Sequence, residues 1–257
     1  MAAASPRQSI RWRGALCALA CALLLSPAGT KAACRQALVL GLDISGSVDD
    51  HEYRLQMDGL AAALLSPKVQ AAFLAIPDLP VRLSVFEWAG LGSQRNLIPW
   101  SEIRQADDLR RIAGQLNATR QTPRELQTAI GQAMLFGAQS LASQTDCNRR
   151  TLDLSGDGES NTGPRPRDVH GHPALSGVTV NALVIGQNAA RYLNYSQSEI
   201  KQLTAYFETE VIRGPAAFVE AAIGFEDFEN AMIRKLLKEL ETLAVGSLTL
   251  PARHSGQ

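Results

Sequence analysis

This sequence predicts an α/β fold: a doubly wound, mainly parallel sheet with helices on both faces. Two observations carry the prediction. Continuous apolar runs recur and stop abruptly at small or acidic residues, as Ala37-Leu38-Val39-Leu40-Gly41-Leu42 does at Asp43. Segments with apolar residues at helical spacing lie between those runs. Unbroken apolar runs are strands buried on both faces, and strands that alternate with helices wind a parallel sheet.

The first element stands outside the fold. Arg7, Arg11 and Arg13 precede the apolar run Gly14–Leu25, Ser26-Pro27-Ala28-Gly29 breaks it, and Thr30-Lys31-Ala32 ends in a small residue. That is the pattern of a secretory signal peptide over residues 1–33, cleaved near Ala32/Ala33. Its dozen or so apolar residues fall short of the roughly 20 that span a bilayer. The expected location is therefore periplasmic or secreted, with no transmembrane segment after cleavage. About 220 residues remain, the size of one α/β domain, read as 34–244 with a disordered tail over 245–257.

Within that domain the first strand, Ala37–Leu42, leads to a helix over His51–Leu65, which Asp49 or Asp50 can cap and which carries Tyr53, Met57, Leu60, Ala61 and Leu64 at helical spacing. Val81–Trp88 is the second strand, and Asn96–Trp100 a short third at an edge. Asp107–Leu116 and Thr128–Leu141 read as helices with a polar loop between them. Arg150–Ser155 is a strand ending at Gly156-Asp157-Gly158, followed by a Gly/Pro/Arg-rich loop to about Pro173. Val178–Ile185 is a strand, Tyr195–Phe207 a helix, Ala216–Ala221 a short strand and Phe225–Leu243 an amphipathic helix.

Twenty-five basic against 25 acidic residues leave a formal net charge of zero and no basic stripe, which points away from nucleic acid. Of four cysteines, Cys17 and Cys21 leave with the signal. Cys34 and Cys147 stay, in a compartment where disulfides persist. In the doubly wound order 3-2-1-4-5-6, strands one and four are parallel neighbours. Cys34 lies nine residues before Asp43 and Cys147 ten before Asp157, so both reach the bottom edge of the sheet at one height. At a strand spacing of roughly 4.8 Å, a Cys34–Cys147 disulfide is expected.

Three oxygen-bearing patches fall at the other edge. In Asp43-Ile44-Ser45-Gly46-Ser47, alternate side chains of an extended segment face one side, so Asp43, Ser45 and Ser47 can converge. Thr128 stands at a helix start, and Asp157 at the end of a strand. Alone, each has a plain structural role as a cap or turn; together, at the carboxyl ends where open α/β sheets bind ligands, they form an all-oxygen set. Such a set suits Mg²⁺ foremost, with Mn²⁺ or Ca²⁺ as alternatives, and does not suit zinc.

Asp43-x-Ser45-x-Ser47, Thr128 and Asp157 resemble the metal-ion-dependent adhesion site of von Willebrand factor A domains. The wider segments Leu42–Asp49 with Glu52-Tyr53, Phe86-Glu87-Trp88 and Phe225–Leu236 resemble an uncharacterised bacterial family of such domains. The resemblance covers roughly Leu38 to Leu240 and implies a Rossmann-like fold. It also implies hydroxyl ligands from Ser45, Ser47 and Thr128, with Asp43 and Asp157 acting directly or through water. One coordination position is left for a carboxylate of a protein partner. Leu126-Gln127 stands where the family often has Gly-Gly, and the loop after Asp157 is rich in Arg and Pro.

Other chemistries find less support. Asp153–Pro164 begins like a calcium loop but has Pro164 where a bidentate glutamate is needed. No phosphate-binding glycine loop and no Gly-x-Ser-x-Gly nucleophile elbow is present. His170-Gly171-His172 lacks further ligands. Glu87 is either an acceptor that orients metal-bound water or a surface or capping residue. The expectation is an exported, metal-dependent binding module and not an enzyme. The alternative is a hydrolase using the same cation as a Lewis acid, with Glu87 or His51 as general base.

Overall fold

A computed structural model of the chain describes Met1, residues 34–186 and residues 193–241. The export signal expected over 1–33 and the tail expected over 245–257 lie outside the described residues, Met1 excepted. Contacts divide the chain into Met1–Thr30 and Lys31–Gln257, and the second unit holds every element described here.

Six strands form one sheet: β1 (Cys34–Asp43), β2 (Val81–Trp88), β3 (Gln94–Ile103), β4 (Cys147–Gly156), β5 (Val178–Ile185) and β6 (Val219–Ala222). Their order is β3-β2-β1-β4-β5-β6, with only the β2–β3 pair antiparallel. β1 lies between two parallel neighbours with helices above and below, and all ten of its residues are buried. That is why its middle, Ala37–Leu42, is an unbroken apolar run. Leu38, Leu40 and Leu42 face the layer of α1 (Asp50–Leu65), α3 (Ala106–Ala118) and α7 (Phe228–Glu241). Ala37 and Val39 face α4 (Ile130–Leu141) and the π-helical turn Phe207–Val211. Gly41 lies on this second face, where a Cβ would come within 2.5 Å of the Phe86 ring and 2.6 Å of Leu154, so only glycine lets these side chains close over β1.

Several boundaries differ from the sequence expectation. β3 runs well beyond Asn96–Trp100, because the polar residues Gln94, Arg95, Ser101 and Glu102 at its ends give no apolar alternation to signal it. The short helix α2 (Pro67–Phe73) was not expected; Pro67 starts it at N1, where a missing N–H costs nothing. α4 begins at Ile130, leaving Thr128 in the preceding loop. α5 (Pro166–Val169) interrupts the loop after β4, and α6 spans Leu193–Tyr206. β6 starts only at Val219, since Ala216 sits at a φ of 55° and makes a turn. α1 is closed by a reciprocal cap: Asp49 Oδ1 accepts from Glu52 N at 2.8 Å and Glu52 Oε2 from Asp49 N at 3.0 Å.

The bottom edge carries the disulfide. Cys34 is the register partner of Cys147, their Cα atoms are 4.5 Å apart, and the two sulfurs are bonded. Among the described residues no helix is long and apolar enough to cross a membrane.

Candidate functional site

The carboxyl end of β1 delivers Asp43 to the top edge, buried and fixed. Gln56 Nε2 of α1 donates to Asp43 O at 2.8 Å, and Ile44 N carries the pairing with β2 one residue further by donating to Trp88 O at 2.8 Å. The chain then turns around the Asp43 side chain, whose Oδ1 accepts from Ser45 N at 2.7 Å. Ser45 Oγ and Ser47 Oγ stand 3.3 Å apart, and Ser47 Oγ donates to Asp157 Oδ1 at 2.8 Å. Asp157, one residue past β4, is buried while Ser47 is exposed, so the cluster opens to solvent on the serine side. Asp43, Ser45, Ser47 and Asp157 thus meet in one chain of contacts.

Thr128 reaches the same edge through its loop. Its N–H donates to Asn161 Oδ1 at 2.8 Å, and its carbonyl accepts from Asn161 N at 2.9 Å and Ser160 Oγ at 3.2 Å. Two residues earlier, Leu126 O accepts from Gly46 N at 2.9 Å. Ser160 and Asn161 had no distinguishing signal in the sequence, where they belong to an irregular loop.

The electrostatics follow from burial. Asp43 Oδ2 is buried without a hydrogen-bond partner. A Cβ on Gly156 would lie 3.2 Å from it and 3.6 Å from the Trp88 ring, so Asp43 looks onto a bare stretch of β4 backbone beside an indole. Burial, and then the Asp157 carboxylate, push the Asp43 pKa up to about 8, against hydrogen bonds from Ser45 that pull it down.

Glu87 sits elsewhere. Strand alternation places it with Leu83 and Val85 on the α1 side, whereas Asp43 shares its face with Trp88 and Phe86. Its buried carboxylate accepts from Arg95 Nε at 2.6 Å and Tyr53 OH at 3.1 Å. Burial first, and then Glu87, raise the Tyr53 pKa. His51 is exposed, His172 Nδ1 accepts from Ala174 N at 3.2 Å, and His170 Nε2 lies 3.3 Å from Val211 O. The two histidines of His170-Gly171-His172 therefore serve the backbone separately. Among the described residues no group of three or more His, Cys, Asp and Glu side chains is placed to hold a metal.

A second polar cluster, without a sequence signal, lies under α7. Lys235 Nζ is fully buried, 3.0 Å from both Asp153 Oδ1 and Glu239 Oε1, and Asn181 Nδ2 donates to Glu239 at 3.1 Å. Burial raises the Asp153 pKa to about 8, with Glu239 adding and Lys235 opposing. The calcium-loop-like spacing thus divides, Asp153 turning into the core and Asp157 to the top edge. Beside Asp157 opens a cavity of about 230 Å³ lined by Glu159, Ile185, Glu199, Ile200 and Leu203.

A model of a family described as proteins of unknown function (DUF1194) matches residues 33–244. Among solved structures, proximal thread matrix protein 1 from the mussel byssus, in a form with a zinc-occupied MIDAS motif, is 17% identical with a TM-score of 0.52, covering 83% of this chain and 49% of that one. The pilus adhesin SpaC of Lactobacillus rhamnosus GG is also 17% identical at a TM-score of 0.52, over 82% of this chain and 30% of the adhesin. An aerotolerance-related membrane protein of Bacteroides fragilis, 16% identical at a TM-score of 0.50, covers 79% of this chain and 98% of its own. The chain thus spans about half of the byssus protein and under a third of the adhesin. The likeness is one of fold, the von Willebrand factor A type. No curated protein matches the chain.

Proposed function

We propose that this chain, which belongs to the DUF1194 family, is an exported binding module that uses Asp43, Ser45, Ser47, Thr128 and Asp157 to hold a divalent cation and, through it, a carboxylate of a protein partner. The observation that carries the reading is the buried, unpartnered Asp43 Oδ2 beside a second carboxylate. Two acids and the seryl hydroxyls converge there, and burying an uncompensated charge is expensive. A divalent cation would displace the proton that the raised Asp43 pKa implies and relieve both carboxylates together. The donors are all oxygen, which fits Mg²⁺, Mn²⁺ or Ca²⁺. When bound, such an ion supplies positive charge and an open coordination position for an acidic group.

The chain's own residues do the positioning. Gln56 and the β2 backbone hold Asp43, Asp157 orients Ser47, and Asn161 and Ser160 hold the Thr128 backbone. The adhesin and matrix-protein neighbours, one with a zinc-occupied MIDAS motif, support a binding rather than a catalytic role. So does the placement of the two general-base candidates: Glu87 is ion-paired on the far face of the sheet and His51 is exposed. Glu87, one of the two candidate bases of the hydrolase alternative, is therefore engaged away from the site. The Cys34–Cys147 disulfide fits an oxidising compartment, periplasmic or outside the cell.

Calorimetry with Mn²⁺ tests the reading. The wild type should bind, and Asp43→Ala should not, while its far-UV circular dichroism stays unchanged. Trp88, packed beside Asp43, should report occupancy through its fluorescence. Equal affinity in the two proteins would sink the assignment.

A further inference from the structure

We propose that Arg124 is a positioning residue for the cation site: its guanidinium clamps the loop after β1 and so holds Ser45 and Ser47 in binding geometry. The affinity consequence rests on the metal reading above, whereas the clamp itself concerns backbone order and stands apart from it. Residues 119–129 join α3 to α4 without regular structure, and the sequence marks them only as a polar loop. Most residues of its second half are nevertheless bonded to segments distant in sequence. Arg124 Nε donates to Ile44 O, and Arg124 Nη2 to Val48 O at 2.7 Å. Glu125 accepts from Gly92 N at 3.0 Å, and its own N–H donates to Ser93 Oγ at 2.9 Å. Leu126 O accepts from Gly46 N at 2.9 Å, and Ala129 N donates to Ala89 O at 3.0 Å. Thr128 stands inside this run.

The loop after β1 is therefore tied at Ile44, Gly46 and Val48, every second residue. Ser45 and Ser47 alternate with the tied residues and are left to meet each other and Asp157. The fit is close: a Cβ on Gly46 would come within 3.0 Å of Leu126 O. Ile44 and Val48 are buried, so their carbonyls would lose a charged donor where water is scarce. A planar guanidinium meets the two carbonyls with separate nitrogens held at a fixed angle, whereas an ammonium would have to meet both from one nitrogen.

The sign of the metal effect separates a clamp from a bystander. A fixed positive charge near a cation site repels the cation, so removing a bystander arginine would tighten binding. Removing a clamp weakens it, by the ten- to hundredfold typical of residues that support metal ligands. Full-length wild type, Arg124→Ala and Arg124→Lys are compared by metal-free hydrogen exchange and by Mn²⁺ calorimetry. In both variants the amides of residues 44–48 should exchange at least about tenfold faster while β4 amides stay protected, and Mn²⁺ should bind at least about tenfold more weakly. Arg124→Lys keeps the charge and loses the fork, and it carries the comparison alone if Arg124→Ala does not fold. Unchanged exchange at 44–48, or, where the wild type binds Mn²⁺, a variant affinity equal to or above wild type, would overturn the clamp. A wild type that ignores Mn²⁺ while Arg124→Ala loosens the loop would refute the metal reading and leave the clamp standing.

Discussion

Replacing Asp43 with asparagine removes a buried charge at nearly constant shape. In the folded chain the Asp43 pKa stands at about 8 instead of the ordinary 3.8, burial being the larger cause and Asp157 the next. A carboxyl raised on folding holds its proton more tightly in the native state. Its stabilisation is therefore complete below about pH 3.8 and is lost as the pH rises toward 8. At pH 7 the ionised unfolded chain is favoured over the protonated folded site by about three pH units, on the order of 4 kcal/mol at about 1.4 kcal/mol per unit. Asparagine escapes that cost, keeps an oxygen to accept from Ser45 N, and places an NH₂ where Oδ2 has no partner. In EDTA at pH 7, Asp43→Asn should melt higher than wild type, by roughly 10 °C at 2–4 °C per kcal/mol for a domain of this size. The gap should close toward pH 4. Asp153 shares the direction of Asp43's shift but is present in both proteins, so it cancels in the difference. Saturating Mg²⁺ should raise the wild-type Tm and leave Asp43→Asn unmoved, reversing or erasing their order. Scanning calorimetry at pH 4, 7 and 8, with and without Mg²⁺, reads both effects. An Asp43→Asn protein less stable than wild type in EDTA at pH 8 would refute the buried-charge argument; equal Mg²⁺ shifts would refute the metal ligand.

Cys147→Ser opens a loop of sequence separation 113 and should lower unfolding free energy by up to about 4–5 kcal/mol in urea titrations, with no change in Mn²⁺ affinity, since the disulfide lies at the opposite edge of the sheet. Lys235→Met leaves Asp153 and Glu239 buried without their cation and should cost about 3–5 kcal/mol, much of it recovered by adding Asp153→Asn; chemical denaturation of single and double variants measures this. Tyr53→Phe removes one hydrogen bond from Glu87 and should cost about 1 kcal/mol, while Mn²⁺ calorimetry stays at wild-type values because Glu87 is on the far face.

Much of the fold is legible in the chain because burial writes itself locally. β1 and β5 sit between neighbours and under helices, so each carries an apolar run, whereas β4 alternates Leu152 and Leu154 with the buried polar residues Thr151, Asp153 and Ser155. The strand order came with the doubly wound class, and the disulfide followed by counting residues back from Asp43 and Asp157, since two parallel strands that end level also begin level. β3 was legible only in its middle, because an edge strand with one exposed side tolerates polar ends such as Arg95, Ser101 and Glu102.

The convergence of Asp43, Ser45 and Ser47 was readable from their alternation along one extended segment, and their meeting with Asp157 from the level strand ends. Tertiary structure alone decided the rest. Which face Glu87 takes depends on the register of β2 against β1, and its ion pair with Arg95 on a hairpin whose length the sequence left open. Lys235 meets Asp153 from 82 positions away, and Arg124 reaches Ile44 and Val48 across 80 and 76. Polar contacts of that kind have no period along the chain. The hydrophobic effect rewards a pattern repeated along a strand or helix and so leaves a trace in sequence, whereas a directional hydrogen bond rewards one geometry between two atoms, and that geometry exists only once the sheet has brought them together.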